Sequence, residues 1–568
     1  MEIKWNAQQA ARYRSAGLWT DRTLLDCWEE AVERYGDAVY VTDDLGRTLS
    51  YRETDRKAAR LAEWMRRQGV RAGHKITVQC TPRVEFPILV VACWKLGAVF
   101  VPVKMRTGAA EWVRLAKLIR SRLHFCVERY HRENYKHFVL ECERELPGPV
   151  TNIFIGERLD AEGAEGNYRM DEILSGGPEG AGCDGCAAAD GTGATPPPLP
   201  RPAVCADDIA VILFTSGTTT GSRGVLLSHN NVISSERAFI KGLGLTEADS
   251  LFMPAPLSHA TGFHHGIVAM MLCGGKLVLM EQYDRRRSLE MMDAERCSFT
   301  MGATPFIYDY IRCMDEGMKK PAGLRFCVCG GAPVPAELIR HAWKKHGLMV
   351  CECYGSTESV PHALVDPEEA LALDGRWSGS VLEGIEVRIV DAQGRDVAPG
   401  ESGEELSRGP NVFLGYLHDP EDTARVLDDG GWYHSGDLCY GDGHGRIKIC
   451  GRIKDIIVRG GENLNVNEME QNLEGCPGVK DCAFVGMEDP RLGERVCAFI
   501  VPEDPENPVT REALTAYLAE RKVSKWQWPE HVEYIGALPY TDSGKLQRYR
   551  LKEELKRRRK EAGSYAGS

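Results

Sequence analysis

The chain has 568 residues, 43% hydrophobic and 27% charged, enough to bury a sizeable core and to divide into roughly two to four domains. With 70 basic against 82 acidic residues the net charge is −12, which argues against nucleic acid as a bulk electrostatic partner, so any anionic ligand needs a local cationic site. The opening MEIKWNAQQAARYRSAG carries charges where a signal peptide needs an apolar run, and the longest apolar stretches, 87–103 and 267–280, are broken by Lys95 and Lys276. These features predict a cytoplasmic protein without stable membrane insertion.

Residues 55–68 show apolar positions at helical spacing, Lys75–Gln79 reads as a short strand, and 86–96 reads as a buried helix. Such alternation predicts βαβ units and a helix-covered parallel sheet. Residues 176–202, rich in Gly, Ala and Pro, form no regular element and read as a long surface loop. That stretch holds the CxxC pair Cys183 and Cys186, too little for a zinc site without a second pair or histidines. Ile209–Phe214 is a continuous apolar run of strand length that passes directly into a polar loop and then a helix.

Further strands at 325–328 and 349–353 each end at a Gly-containing turn, at 330–333 and 354–359. Ligands of parallel sheets bind beyond the carboxyl ends of strands, so the three turns predict one shared cleft. From residue 385 the texture changes to short β runs with tight turns, among them GDGHG (441–445), read as a β-turn. Past residue 451 a smaller α+β unit follows, with helices at 467–473 and Arg511–Glu520, and no internal repeat is present. The basic tail 551–560 reads as a helix end with solvated charge. The 20 cysteines are scattered through apolar runs, as reduced core thiols would be.

The segment TSGTTTGSRGVLLSHNN (215–231) concentrates hydroxyl side chains, glycines and one arginine after a buried strand. Glycines let backbone N–H groups approach a phosphate closely, hydroxyls donate further hydrogen bonds, and Arg223 adds a delocalised charge, so the composition suits a polyphosphate. The Walker pattern GxxxxGK followed by Ser or Thr does not occur.

This loop, YGSTES (354–359), GWYHSGDL (431–438), GRIKDIIVRGGENLNVNEME (451–470) and LPYTDSGKLQR (538–548) resemble, in order and spacing, the motifs of the acyl-adenylate-forming superfamily. Within it, RYRSAGLW, PLSHATGFHHG (256–266), TMGATPFIYDY (300–310), SRGPNVFLGY (407–416) and DPRLGERVCAFIV (489–501) are most similar to bacterial short- and medium-chain acyl-CoA ligases and cyclohexanecarboxylate-CoA ligases. The resemblance implies an α/β fold: a large N-terminal domain (1–453) of helix-covered, mostly parallel sheets with a β-rich subdomain, and a small mobile α+β C-terminal domain (454–568). It implies ATP, Mg²⁺ and CoA as cofactors, a small carboxylic acid as partner, and transfer of the acid to AMP and then to CoA. An acyl-AMP ligase that loads a carrier protein and a catalytically weak nucleotide-binding homologue stay open as alternatives, as do monomer and homodimer.

Roles follow by resemblance, residue by residue. Thr215, Ser216, Gly217, Thr218 and Thr219 would cradle the β- and γ-phosphates with Arg223, which stands where the family commonly has lysine; Thr220 and Ser222 replace a usual glycine and proline, reducing the loop's backbone freedom. Gly330, Gly331, Ala332 and Pro333 resemble the turn beneath the adenine, and Tyr354, followed by Gly355, the ring stacked on it. Thr357 would contact the α-phosphate, Glu358 would anchor Mg²⁺, and Asp437 with Arg452 would hold the ribose hydroxyls. Lys545 resembles the lysine that bridges the acyl carboxylate and the α-phosphate. Lys454 matches the family's hinge, and Gly460 and Gly461 its pantetheine tunnel. The acyl pocket would draw on 259–266, 302–306 and 359–360, with Phe263, Ala303, Phe306 and Val360 apolar and His259 as its gate. His264 and His265 read as packing or gating groups rather than metal ligands. Ala260 stands where dihydroxybenzoate-activating relatives carry asparagine, which favours an aliphatic or alicyclic acid over a hydroxylated aryl acid.

Overall fold

The computed structural model describes residues 6–131, 133–156, 167–175, 199–215, 222–331, 334–459, 462–489, 491–541 and 545–565. The expected early alternation is present. Helix Tyr51–Arg67 starts at a capping box, in which Ser50 receives the Glu53 N–H and the Glu53 carboxylate receives the Ser50 N–H. It buries the stripe Tyr51, Thr54, Ala58, Leu61, Ala62 and Met65. Helix Glu85–Leu96 is apolar on nearly every face and buried accordingly.

Strands Val99–Pro102, Lys75–Gln79, Leu123–Val127, Thr151–Ile155 and Asn167–Arg169 run parallel in a seven-stranded sheet, completed by Ile209–Phe214 and Gly224–Ser228. A thirteen-stranded sheet holds the parallel run Val39–Asp43, Lys276–Leu279, Ser250–Met253, Phe299–Gly302, Phe326–Gly330 and Met349–Ser356. The β-rich stretch after residue 359 continues this same sheet through antiparallel pairs out to Glu386–Val390. A third sheet uses only strands after residue 455, from Ile456–Arg459 to His531–Tyr534. It encloses its own core of Ile457, Met469, Phe484, Ile500, Leu514 and Leu518.

Two local expectations change. The polar loop after Ile209–Phe214 does not feed a helix: it closes a hairpin with Gly224–Ser228, and helix His229–Leu243 begins only at the Ser228 cap with its Asn231 partner. A five-residue apolar run carries no period that separates strand from helix, and here both strands are buried throughout. Likewise Met349–Ser356 runs past residue 353, and the chain doubles back at Thr357 and Glu358 into Ser359–Leu364. The GDGHG stretch is the expected turn: Asp442 Oδ1 accepts from the His444 and Arg446 N–H groups, and Gly443 and Gly445 have φ of 75° and 95°. The basic tail lies within helix Arg548–Tyr565. All described cysteines are free and most are buried, while Cys183, Cys186 and most of 176–202 lie outside the described residues. Among the described residues no helix is long and apolar enough to cross a membrane.

Candidate active site

The cleft opens where Phe326–Gly330 and Met349–Ser356 end side by side, with Gly330 opposite Cys353. A Cβ on Gly330 would lie 2.6 Å from the Cys353 carbonyl oxygen, so the two backbones meet without side chains between them. Gly331 follows at φ 92°, a left-handed geometry that turns the chain away from the strand. Two small cavities flank this turn. One, of about 70 Å³, is lined by Tyr354, Gly355, Asp437, Arg452 and Asn467, and the other, of about 40 Å³, by His259, His265, Met301, Thr357 and Val360. Gly331, Gly355 and Lys545 border both.

Asp437 and Arg452 are cross-strand neighbours, and Arg452 Nε lies 2.9 Å from Asp437 Oδ1. Tyr354 donates its hydroxyl proton to Asp437 Oδ2 at 2.8 Å, with Glu405 Oε2 at 3.2 Å and His362 Nδ1 behind it on Glu405 Oε1 at 3.1 Å. Burial pushes the Asp437 carboxyl up, opposed by Arg452 and the Tyr354 hydrogen bond. The Tyr354 ring is largely enclosed, edge-on to His362.

Thr215 and Arg223 close the base of the polar hairpin through the Thr215 N–H and the Arg223 carbonyl at 3.0 Å. The Arg223 guanidinium pairs with Asp422 at 2.5 Å and lies 5.2 Å over the Tyr416 ring. Tyr416 in turn donates to Glu358 Oε1 at 2.8 Å. One aromatic residue therefore touches both the hairpin cation and the carboxylate of the second turn. The sequence reading did not single out Tyr416, since its two partners lie far away along the chain.

Lys545 enters from the third-sheet unit, and a Cβ on Gly331 would touch its Cε at 3.4 Å. Burial pulls its ammonium down to about 8, reinforced by Arg452 and Lys104 and resisted by Asp437 and Glu358. Burial, followed by Lys545 and Lys104, likewise holds His259 well below its ordinary range and therefore neutral, with Nδ1 3.2 Å from the Thr261 hydroxyl. Lys104, at the carboxyl end of Val99–Pro102, also escaped the sequence reading, although a cation just beyond a parallel strand is a usable signal.

Of the apolar pocket residues expected from sequence, only Val360 lines the 40 Å³ cavity. Phe263 instead stacks on Phe100 at 6.0 Å in the core, while Ala303 and Phe306 pack into a separate core cluster. His264 and His265 place Nδ1 on the two oxygens of buried Glu236. The structure thus gathers Thr357, Glu358, His259, Gly330, Gly331, Tyr354, Gly355, Asp437, Arg452 and Lys545 around one cleft, linked through Tyr416 to Arg223 and Thr215. Ser216, Gly217, Thr218, Thr219, Ala332, Pro333, Gly460 and Gly461 lie outside the described residues.

Residues 28–417 match the AMP-binding enzyme family and residues 468–545 the AMP-binding enzyme C-terminal domain. A medium-chain fatty-acid–CoA ligase of Escherichia coli (strain K12) is 37% identical over 98% of this chain and 94% of its own length. A feruloyl-CoA synthase of an Amycolatopsis species is 32% identical over 90% of this chain and 94% of its own. The fold is similar to that of the anthranilate CoA ligase AuaEII in complex with anthranoyl-AMP, with a TM-score of 0.81 at 21% identity, covering 94% of this chain and 97% of that one. The two abutting strand ends, the half-buried lysine from the third-sheet unit and these matches across the chain converge: the protein belongs to the AMP-binding enzyme family of adenylate-forming enzymes.

Proposed function

We infer that the protein is an ATP-dependent, AMP-forming acyl-CoA ligase that activates a medium-chain fatty or alicyclic carboxylic acid, with a body at 1–453 and a mobile cap at 454–568. The observation that carries this reading is Lys545, half-buried between the two cavities and within the electrostatic reach of Asp437 and Glu358. A carboxylate resists attack by a thiol because it is anionic and has no workable leaving group. Bonding one of its oxygens to the α-phosphorus of ATP, with loss of pyrophosphate, supplies that leaving group. The step brings anions together, so it depends on placed cations. The Lys545 ammonium bridges the acyl carboxylate and the α-phosphate, Asp437 and Arg452 hold the ribose, and Arg223 meets the departing phosphates. The CoA sulfur then gives up its proton, bonds to the acyl carbon and displaces AMP.

Glu358 suits Mg²⁺: it offers hard oxygen donors, is 9% exposed, and has only Oε1 taken by Tyr416. When bound, the ion neutralises developing charge on the phosphates. Cytoplasmic location fits a chain that uses ATP and CoA.

Acids from C4 to C14, with cyclohexanecarboxylic and benzoic acids, tested for AMP release with and without CoA, test this reading. Acid- and CoA-dependent AMP release is the expected result. ATP–pyrophosphate exchange without CoA-dependent AMP release would indicate a carrier-protein loader instead. No acid-dependent exchange at all would leave a nucleotide-binding chain without this activity.

A further inference from the structure

A carboxylate with no exposed surface is an unusual neighbour for an acyl cavity, and Glu236 is one. It lies on helix His229–Leu243, and two consecutive histidines of the π-helical segment Thr261–Val268 reach it. His264 Nδ1 is 3.2 Å from Oε1 and His265 Nδ1 is 2.9 Å from Oε2. Single-turn π geometry inside helices recurs at functional sites. Burial alone would push the Glu236 carboxyl up; His265, then His264, outweigh it and hold it down to about 2. Ser235 Oγ donates to the Val360 carbonyl at 2.5 Å and lies 2.8 Å from Glu236 Oε1, tying the cluster to another residue that lines the cavity.

The two rings are not equivalent. His264 Nε2 is buried without a hydrogen-bond partner, whereas His265 lines the acyl cavity. With Nδ1 committed to Glu236, Nε2 is the His265 nitrogen left for a ligand. Phe239 stacks on the His265 ring at 4.0 Å and fixes its orientation. With its Nδ1–H given to Glu236, the His265 imidazole keeps an Nε2 lone pair, and an acceptor left unpaired at a buried cavity wall is costly. The cavity wall then presents a hydrogen-bond acceptor held in place by a buried anion. It suits a hydroxyl group better than a second carboxylate, which Glu236 would repel.

We propose that Glu236 and His265 form an oxygen-reading subsite of the acyl cavity, so that the preferred acids carry a hydroxyl group on the acyl body in addition to the carboxylate. This rests on the acyl-CoA ligase reading. The test compares kcat/KM within matched pairs: 4-hydroxycyclohexanecarboxylate against cyclohexanecarboxylate, and 5-hydroxyhexanoate against hexanoate. The unmodified enzyme should favour the oxygenated partner by about tenfold or more, because a site built to hydrogen-bond a substituent penalises its absence. His265→Leu should bring the ratio toward one, His265→Gln should restore part of it, and Glu236→Gln should lower it through the loss of the backing charge. A ratio of one or less in the unmodified enzyme, or an unchanged ratio in a folded His265→Leu variant, would overturn the subsite. CoA-dependent turnover of plain acids with no preference sinks the subsite alone, whereas no AMP release with any acid sinks the ligase reading as well.

Discussion

An ammonium enclosed by protein loses its hydration, and Lys545 is held at about 8 by that burial together with Arg452 and Lys104. The bridging role proposed for it needs the charged form. Below about pH 8 the free enzyme carries that charge, and above it the neutral amine offers the α-phosphate no positive partner. The value of kcat/KM in acid-dependent ATP–pyrophosphate exchange should therefore fall as pH rises through about 8, because this parameter reports ionisations of the free enzyme. A profile flat from pH 7 to 10 would count against a lysine-borne charge. Lys545→Ala should reduce exchange by about a hundredfold or more while leaving thioester formation from pre-made acyl-AMP within a few-fold of the unmodified enzyme. Equal losses in the two half-reactions would show that the lysine serves both steps.

Two hairpins, rather than strand-to-helix turns, deliver the polar loop and the Thr357–Glu358 turn. Tyr416 joins them: it forms an isolated bridge with Val225 beside the first hairpin and donates to Glu358 in the second. Removing its hydroxyl leaves Glu358 Oε1 without that donor but keeps the ring under Arg223. Tyr416→Phe should thus slow exchange by about ten- to a hundredfold, the range for a lost hydrogen bond to a charged group, and spare thioester formation from acyl-AMP. Parallel losses in both reactions would mean that Tyr416 supports the fold rather than this coupling. The same elements show what was legible in sequence. Helices such as Tyr51–Arg67 announce themselves by cap and periodicity, and Lys545 by a contiguous turn motif. The Gly224–Ser228 strand was not legible, because a short apolar run fits a strand or a helix start equally. Neither was the Glu236–His265 pair, whose members are 29 residues apart and meet only once helix and π-helix pack. Phe263 was misread as pocket lining because hydrophobicity does not say which side of a buried segment faces a cavity.

For the whole molecule, a net charge of −12 places two anionic substrates in an unfavourable overall field, so binding depends on local cations. One of these, Lys545, belongs to the proposed cap, and if it bridges the reactants as proposed, cap position becomes part of the catalytic cycle. In this arrangement the cap touches the body through the Asn465 and Asn467 side-chain amides, which donate to the Cys450 carbonyl at 3.0 and 3.3 Å, and through the Tyr308 hydroxyl, which donates to Glu474 Oε1 at 2.8 Å. The asparagine contacts lie beside the proposed hinge and can persist through a rotation. Tyr308 and Glu474 lie farther from it along the chain, and a cap that swings to admit CoA has to separate them. Tyr308→Phe removes the hydroxyl donor and leaves the ring. The loss should disfavour the adenylate-forming arrangement by a net hydrogen bond, about 0.5–1.5 kcal/mol, or roughly two- to tenfold in the balance between arrangements. Single-turnover measurements of the two half-reactions read that balance directly. Adenylation should slow relative to thioester formation from acyl-AMP, and an unchanged ratio would mean that this contact does not set the position of the cap.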